Sequence, residues 1–442
     1  MMTRTKILLV TSLLFSSCLN AQVLKLEDLL KAAIINSPDI KISKADYEAS
    51  QQRTLQADAA YLPQVDLAVI AGQQDVDYGD QKVGTPGNEI EPGNNKTTLF
   101  GGQVTAKQLI YDFGKTTGNM DSFENQSYAF KASMQQTISD KIYSVKSAYY
   151  ELLSNYALID VNTENIKLNE QQLNRSKRYY DAGIRTKVDV TDAEVNLISA
   201  QLNLQNTEYD TKLSAVKLKK EVGIDNDIKV VYDAEVYIQK PESVDVYDSL
   251  KKLTLPVEHY KNEAYKNRAE LDKYVQLLKA AQSTYVQTDG DYYPSIYANA
   301  DYMAQDVDED AFAPEQEWTA TVSLEWNLFS GNKTDAQTEE ARIIIMRAEA
   351  DLQNARLNIQ EEVNNAYIEV NKQLDNTKLT ESLSIASKEK FEQVQKRYEY
   401  GLADYVALQQ ARQSYIDSRA HLMQSYYNYF IAMAQLDRAV GK

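Results

Sequence analysis

The 442-residue chain has a single cysteine, Cys18, so no disulfide can form within it. It has two histidines, His259 and His421, far apart in sequence. No metal-ligand spacing, nucleophile elbow or phosphate-cradling glycine loop is present. Nothing in the residues points to an enzyme, and no cofactor or metal is expected. No stretch after the N-terminus approaches the ~20 apolar residues that a membrane helix needs. Basic residues are outnumbered, 47 Lys and Arg against 64 Asp and Glu, for a net charge of −17. That excludes the basic face a nucleic-acid partner requires, and predicts a surface or lumen that favours cations. Gly and Pro are scarce, at 15 and 8, which argues against disorder and for long uninterrupted elements. Tyrosine, by contrast, is abundant: 31 residues against 9 Phe. It suits surfaces that are apolar on one side and wet on the other.

Residues 1–21 read as a targeting segment. Arg4 and Lys6 supply the basic start, Ile7 to Phe15 the short apolar stretch, and Ala21 before Gln22 a small residue at the cleavage position. A competing reading takes Phe15-Ser16-Ser17-Cys18 as a lipobox with Cys18 lipidated. Both readings predict export, and with no later apolar helix the mature chain is either soluble or a β-barrel.

An internal repeat is the strongest signal. A shift of 218 carries Tyr180 to Tyr398, Gly183 to Gly401, Val188 to Val406, Ala193 to Ala411 and Val222-Gly223 to Val440-Gly441. Further upstream a shift of 231 carries Asn36 to Asn267 and Pro63 to Pro294. The difference falls in the Gly- and Pro-rich stretch between Pro63 and Tyr111, where a loop would absorb it. The expected organisation is a first repeat over 22–223, an inter-repeat segment over 224–262 and a second repeat over 263–442. Each repeat runs helix, two strands, long helical hairpin.

The strands are expected near 63–72, 98–111, 294–303 and 318–329. In the last, Trp318, Ala320, Val322, Leu324, Trp326 and Leu328 share one face, and Thr319, Thr321, Ser323, Glu325 and Asn327 the other. Trp318 and Trp326 are eight residues apart, ~26 Å at strand rise, which fits an apolar band between two aromatic girdles. Val65, Leu67 and Val69, then Phe100, Val104, Ala106 and Ile110, continue the alternation. A soluble four-stranded sheet is the plainer alternative. If the strands do span a bilayer, four are too few to close a barrel, and open edges are not tolerated in lipid. Three chains would supply twelve.

The hairpins are expected near 115–223 and 333–440. Ile138, Ile142, Val145, Tyr149, Leu152, Tyr156 and Ile159 recur at steps of four and three, a heptad stripe whose phase continues through Ile166, Leu173 and Tyr180. No proline interrupts Lys115 to Tyr180, ~100 Å of helix. After Gly183 the return helix carries Val190, Ala193, Leu197, Ala200 and Leu204 at the same spacing, and Val363, Tyr367, Val370 and Leu374 repeat it in the second copy. Coiled-coil packing accounts for nearly all of these residues.

The order strand, Ile110-Tyr111-Asp112-Phe113-Gly114-Lys115, long helix, then Tyr-x-x-Gly turn resembles the TolC family of outer-membrane efflux ducts. Trp326-Asn327-Leu328-Phe329-Ser330-Gly331-Asn332 stands at the second strand-to-helix junction, and Asn36-Ser37-Pro38-Asp39-Ile40 and Pro63 also match. The resemblance covers essentially the whole mature chain. It implies an α+β membrane protein: a homotrimer whose twelve-stranded β-barrel, four strands per chain, sits in outer-membrane lipid and continues into a twelve-helix periplasmic tunnel. It implies two partners besides, a periplasmic adaptor and an inner-membrane transporter.

It also implies site residues. A matching Tyr, Arg and Asp pair close the periplasmic mouth in the family archetype; carried over by position, these are Tyr180, Arg185, Asp189 and Asp192. The archetype's set belongs to its second repeat, whereas here Ala407 and Gln410 replace the two aspartates in the second copy. Asp189 and Asp192, three apart at a helix start, are equally explained by capping and the helix dipole. The turns at Gly183-Ile184 and Gly401-Leu402 match the tips that dock the adaptor; plain helix C-caps explain them too. Trp318 and Trp326 are the expected membrane-interface aromatics. The expected role is the exit duct of a tripartite efflux or type I secretion system, with a heavy-metal duct as an alternative inside the same family; outside the duct class the rivals are a soluble exported coiled-coil scaffold and an envelope hydrolase for which no residues speak.

Overall fold

A computed structural model describes residues 25–76, 83–85, 88–90, 95–225, 246–307 and 316–442. The targeting segment with Cys18, and most of the inter-repeat segment, lie outside them.

Two short helices open the chain, α1 (Leu26–Asn36) and α2 (Pro38–Asp58). Strand β1 (Gln64–Val76) leads through the small hairpin β2 (Val83–Thr85) and β3 (Asn88–Ile90) to β4 (Asn95–Tyr111). The long helix α3 (Lys115–Asp181) and its return α4 (Lys187–Val222) complete the first half. The second half repeats the plan with α5 (Val257–Asn267), α6 (Ala269–Gly290), β5 (Ser295–Val307), β6 (Gln316–Glu325), α7 (Lys333–Glu399) and α8 (Tyr405–Val440). The 218-residue shift carries both bounds of α3 onto α7 and of α4 onto α8; the 231-residue shift does the same for α1 with α5 and β1 with β5. Duplication in sequence is thus duplication in structure.

The chain divides into two units. One comprises residues up to Lys41, Ile138–Ala264 and Glu362–Lys442; the other Ile42–Thr137 and Tyr265–Glu361. The first unit is helical. Its core gathers Val145, Leu152, Leu153 and Val161 of α3, Leu218 and Val222 of α4, and Leu422, Met423 and Tyr427 of α8. Each such side chain contributes about 1.5–3 kcal/mol on burial. Polar ties cross the same faces: Asn155 donates to Ser214 at 2.6 Å, Asn162 to Thr207 at 2.9 Å. Lys141 bridges Asp39 at 2.8 Å and Glu221 at 3.0 Å, joining α2, α3 and α4.

The buried line of α3 departs from the expected heptad phase. Beyond Val161 it runs through Asn165, Asn169, Gln172 and Ser176, while Tyr180 is exposed. Toward the turn, the face that α3 buries within its own chain is therefore polar.

The second unit holds an antiparallel sheet of order β1-β4-β5-β6. Helices α3 and α6 approach closely beside it. A Cβ on Gly118 would stand 2.5 Å from the Gln287 amide nitrogen and 2.8 Å from the Ser283 carbonyl oxygen. Backbone cannot step aside as a side chain can, so Gly118→Val is expected to part the two helices at a cost of about 1–3 kcal/mol. Thermal unfolding of the detergent-solubilised protein checks this, and an unchanged Tm would contradict the close approach.

Candidate functional site

Two regions carry the functional argument, one in each unit. In the sheet, register brings the alternating apolar residues of all four strands into rows. Leu67 pairs with Val104, Val104 with Tyr302, and Tyr302 with Trp318. Val65, Ala106, Ala300 and Ala320 form the next row. The opposite face carries Asp66, Thr105, Asp301 and Thr319, and then Gln64, Lys107, Asn299 and Thr321. Lys107 pairs there with Glu325 at 3.4 Å, and Asn299 donates to Ser323 at 3.0 Å. The apolar face is open: Leu67, Val322 and Leu324 are exposed, and Trp318 is 78% exposed. A broad apolar face in contact with water marks a membrane or partner surface.

Strand β6 ends at Glu325, short of the expected 329, so Trp326 falls one residue beyond it. Its indole Nε1 donates to the Tyr292 carbonyl at 3.0 Å, and positive φ at Gly331 (65°) and Asn332 (66°) turns the chain into α7. The two tryptophans therefore do not share one strand. The register of the four strands, rather than the spacing of two residues, defines the apolar band. The other strands run longer than expected, to Val76 and Val307 and from Asn95.

The second region is the pair of hairpin turns. Gly183 and Gly401 have φ of +71° and +73°. Around them Gly183 N–H bonds to Tyr180 O at 2.9 Å and Ile184 N–H to Tyr179 O at 2.9 Å; Gly401 and Leu402 repeat this with Tyr398 (3.1 Å) and Arg397 (2.8 Å). This is the left-handed helix end that glycine favours. Ile184, Val188, Leu402 and Val406 are exposed, leaving an apolar set at each tip. The return helices start differently. Asp189 closes a capping box, its Oδ2 accepting from Thr186 N–H at 3.1 Å and from the Thr186 hydroxyl at 3.2 Å. In the second copy Asp404 itself is the cap, accepting from Ala407 N–H at 2.7 Å. Asp189 is half-buried and Asp192 exposed.

The Arg185 guanidinium lies 5.3 Å from the centre of the Tyr398 ring, a cation–π contact that joins the first tip to the second hairpin. Tyr180 is 46% exposed, while its counterpart Tyr398 is 1% exposed. Tyr405 is buried as well and accepts from Asn196 at 2.9 Å. Burial pushes both phenols above their usual range. Arg175 pairs with Glu399 at 2.9 Å, a second tie between the hairpins.

Residues 29–223 and 261–442 match the model of the outer membrane efflux protein family. The chain belongs to that family. It is an outer-membrane protein of efflux, and its two matched stretches follow the two repeats. Outer membrane protein TolC of Vibrio cholerae is 21% identical over 430 residues, 94% of this chain and 90% of that protein. TolC of Escherichia coli strain K12 is 22% identical over 203 residues, 45% of this chain but only 40% of that protein's length. Among solved structures, the transmembrane channel CusC superposes with a TM-score of 0.80 at 15% identity, covering 94% of this chain and 92% of that one. At that identity the likeness speaks for the fold.

For an outer-membrane efflux protein, sequence reasoning picks the tips correctly as paired turns but misses the residues that couple them. Tyr398, Tyr405 and Asn196 carry that coupling. One signal was available: the 218-residue shift pairs Tyr180 with Tyr398. Which member of the pair is buried depends on the neighbouring hairpin, which the repeat does not specify.

Proposed function

We propose that three copies of this chain form the exit duct of a tripartite export system, joined through a periplasmic adaptor to an inner-membrane transporter. The observation that carries the reading is the four-stranded sheet, with an apolar face aligned across every strand and its outer strands β1 and β6 each paired on one side only among the described residues. Lipid tolerates neither open edges nor a four-stranded barrel. Twelve strands from three chains satisfy both requirements. The exposed Val195, Ile198, Leu202, Leu213 and Val216 on α4 give each chain a second apolar face for a neighbour. A soluble scaffold would leave Trp318 and its row in water.

The tips at Gly183-Ile184 and Gly401-Leu402 dock the adaptor in this reading. Tyr180, Arg185, Asp189 and Asp192 surround the periplasmic mouth, with Arg185 as the link and the aspartates as the acidic ring. Trp318 sits among the lipid-facing aromatics. Cargo choice belongs to the pump.

The protein should fractionate with outer membrane and need detergent for extraction. Chemical cross-linking of the intact membrane should trap a trimer. A soluble monomer after gentle lysis, or a dominant dimer or tetramer, would overturn the assembly.

A further inference from the structure

The polar layer near the tips contains a buried cation with no carboxylate partner among the described residues. Arg412, on α8, is 3% exposed. Its one hydrogen-bond partner among the described residues is the neutral side chain of Gln409. By contrast Arg419, also on α8 and half-buried, has Glu164 as an ion-pair partner. Ion pairing is the rule for buried charge, because an uncompensated guanidinium in a low-dielectric interior is costly. Burial pushes the Arg412 guanidinium below its ordinary range, and among the described residues only the Tyr405 phenol, not a carboxylate, works against that shift.

Arg412 borders a cavity of about 20 Å³, large enough for one water-sized particle. Its polar lining is Gln171, Gln172, Arg175 and Gln395, and its apolar walls are Leu168, Phe391 and Leu408. No Asp or Glu lines it. Of the two guanidiniums, Arg175 is already engaged by Glu399 at 2.9 Å, and that same carboxylate accepts from Gln395 at 3.3 Å. Arg412 has no such anion. In a chain of net charge −17, a pocket holding two arginines, three glutamines and no carboxylate is built for negative charge.

We propose that this pocket is an internal site for one small monovalent inorganic anion, with chloride the natural occupant. The room beside Arg412 is of the order of one small ion, which favours a halide over phosphate or an organic acid. A single negative charge matches the one guanidinium left uncompensated. The lining comes from α3, α7 and α8, so an occupied site ties the ends of both hairpins together just behind the two turns. The anion contributes to stability because it binds the folded protein and not the unfolded chain.

The test uses the full-length protein purified in detergent. Crystals soaked in bromide at a physiological halide concentration should show an anomalous peak within hydrogen-bonding distance of the Arg412 guanidinium. Thermal unfolding in chloride should occur several degrees above that in gluconate at matched ionic strength, rising saturably with chloride. In Arg412→Met both the peak and the chloride dependence should vanish. Water alone in the wild-type pocket overturns the proposal, as does an equal chloride effect in both proteins. The bromide experiment needs no variant, so it decides the matter even if Arg412→Met does not accumulate.

Discussion

A chain carrying valine at both Gly183 and Gly401 is expected to reach the outer membrane and export nothing. The two glycines sit at φ of +71° and +73°, and a Cβ built on either meets nothing within 4 Å. The penalty is therefore purely conformational. It amounts to about 1–2 kcal/mol for an ordinary L-residue and more for a β-branched one. That is small against two helical hairpins of 67 and 36 residues each, so folding and insertion survive. It is large for the turn itself, where Ile184 and Leu402 hold their positions through the amide bonds that follow each glycine. The exposed apolar pairs Ile184 with Val188 and Leu402 with Val406 would lose their common orientation. Export should fall to the level of cells lacking the protein, with unchanged outer-membrane abundance on a blot. Asparagine, which tolerates the left-handed region, should preserve most of the export at both sites. Normal export in the double valine chain would mean that the tips do not dock the adaptor.

The hairpins are legible in the sequence because their determinants are local. No proline interrupts Lys115–Asp181, and a glycine stands just past each helix end. The repeat then doubles the evidence, since the bounds of α3 and α4 recur in α7 and α8. What is not legible is which face of α3 its own chain covers. The expected phase through Ile166, Leu173 and Tyr180 follows apolar residues, yet the buried line follows Asn165, Asn169, Gln172 and Ser176. A helix with apolar residues on more than one face gives two periodic answers, and composition alone does not say which neighbour each face meets. The Trp326 reading fails for a related reason. Alternation continues through Leu328, but the strand stops where the indole finds the Tyr292 carbonyl. Side-chain pattern records the face a residue would take in a strand, not the point at which the ladder ends.

The proposed gate yields the second large effect. Replacing Arg185 by alanine is expected to raise the resting conductance of the channel in planar bilayers several-fold, because its guanidinium holds the first tip over Tyr398 of the second hairpin. Lysine keeps the charge but loses the flat stacking surface, and should recover only part of the closure. The aspartates divide differently. Asp189 already gives one carboxylate oxygen to Thr186, and asparagine can still accept that bond, so Asp189→Asn should barely disturb the helix start. Asp189→Ala should cost about 1 kcal/mol through the lost cap. Asp192 is exposed and makes no part of the cap. In a trimer it supplies three carboxylates, and with Asp189 six, whose mutual repulsion is relieved by cations. Cation selectivity and block by multivalent cations should therefore fall more in Asp192→Asn than in Asp189→Asn, and furthest in the double variant. Reversal-potential measurements under a salt gradient read this directly. Full selectivity in the double variant would leave both residues as ordinary helix-start aspartates and move the acidic ring to another level of the tunnel. A rise in conductance without any change in selectivity after Arg185→Ala would still identify the arginine as the latch, since the link and the ring act through separate groups.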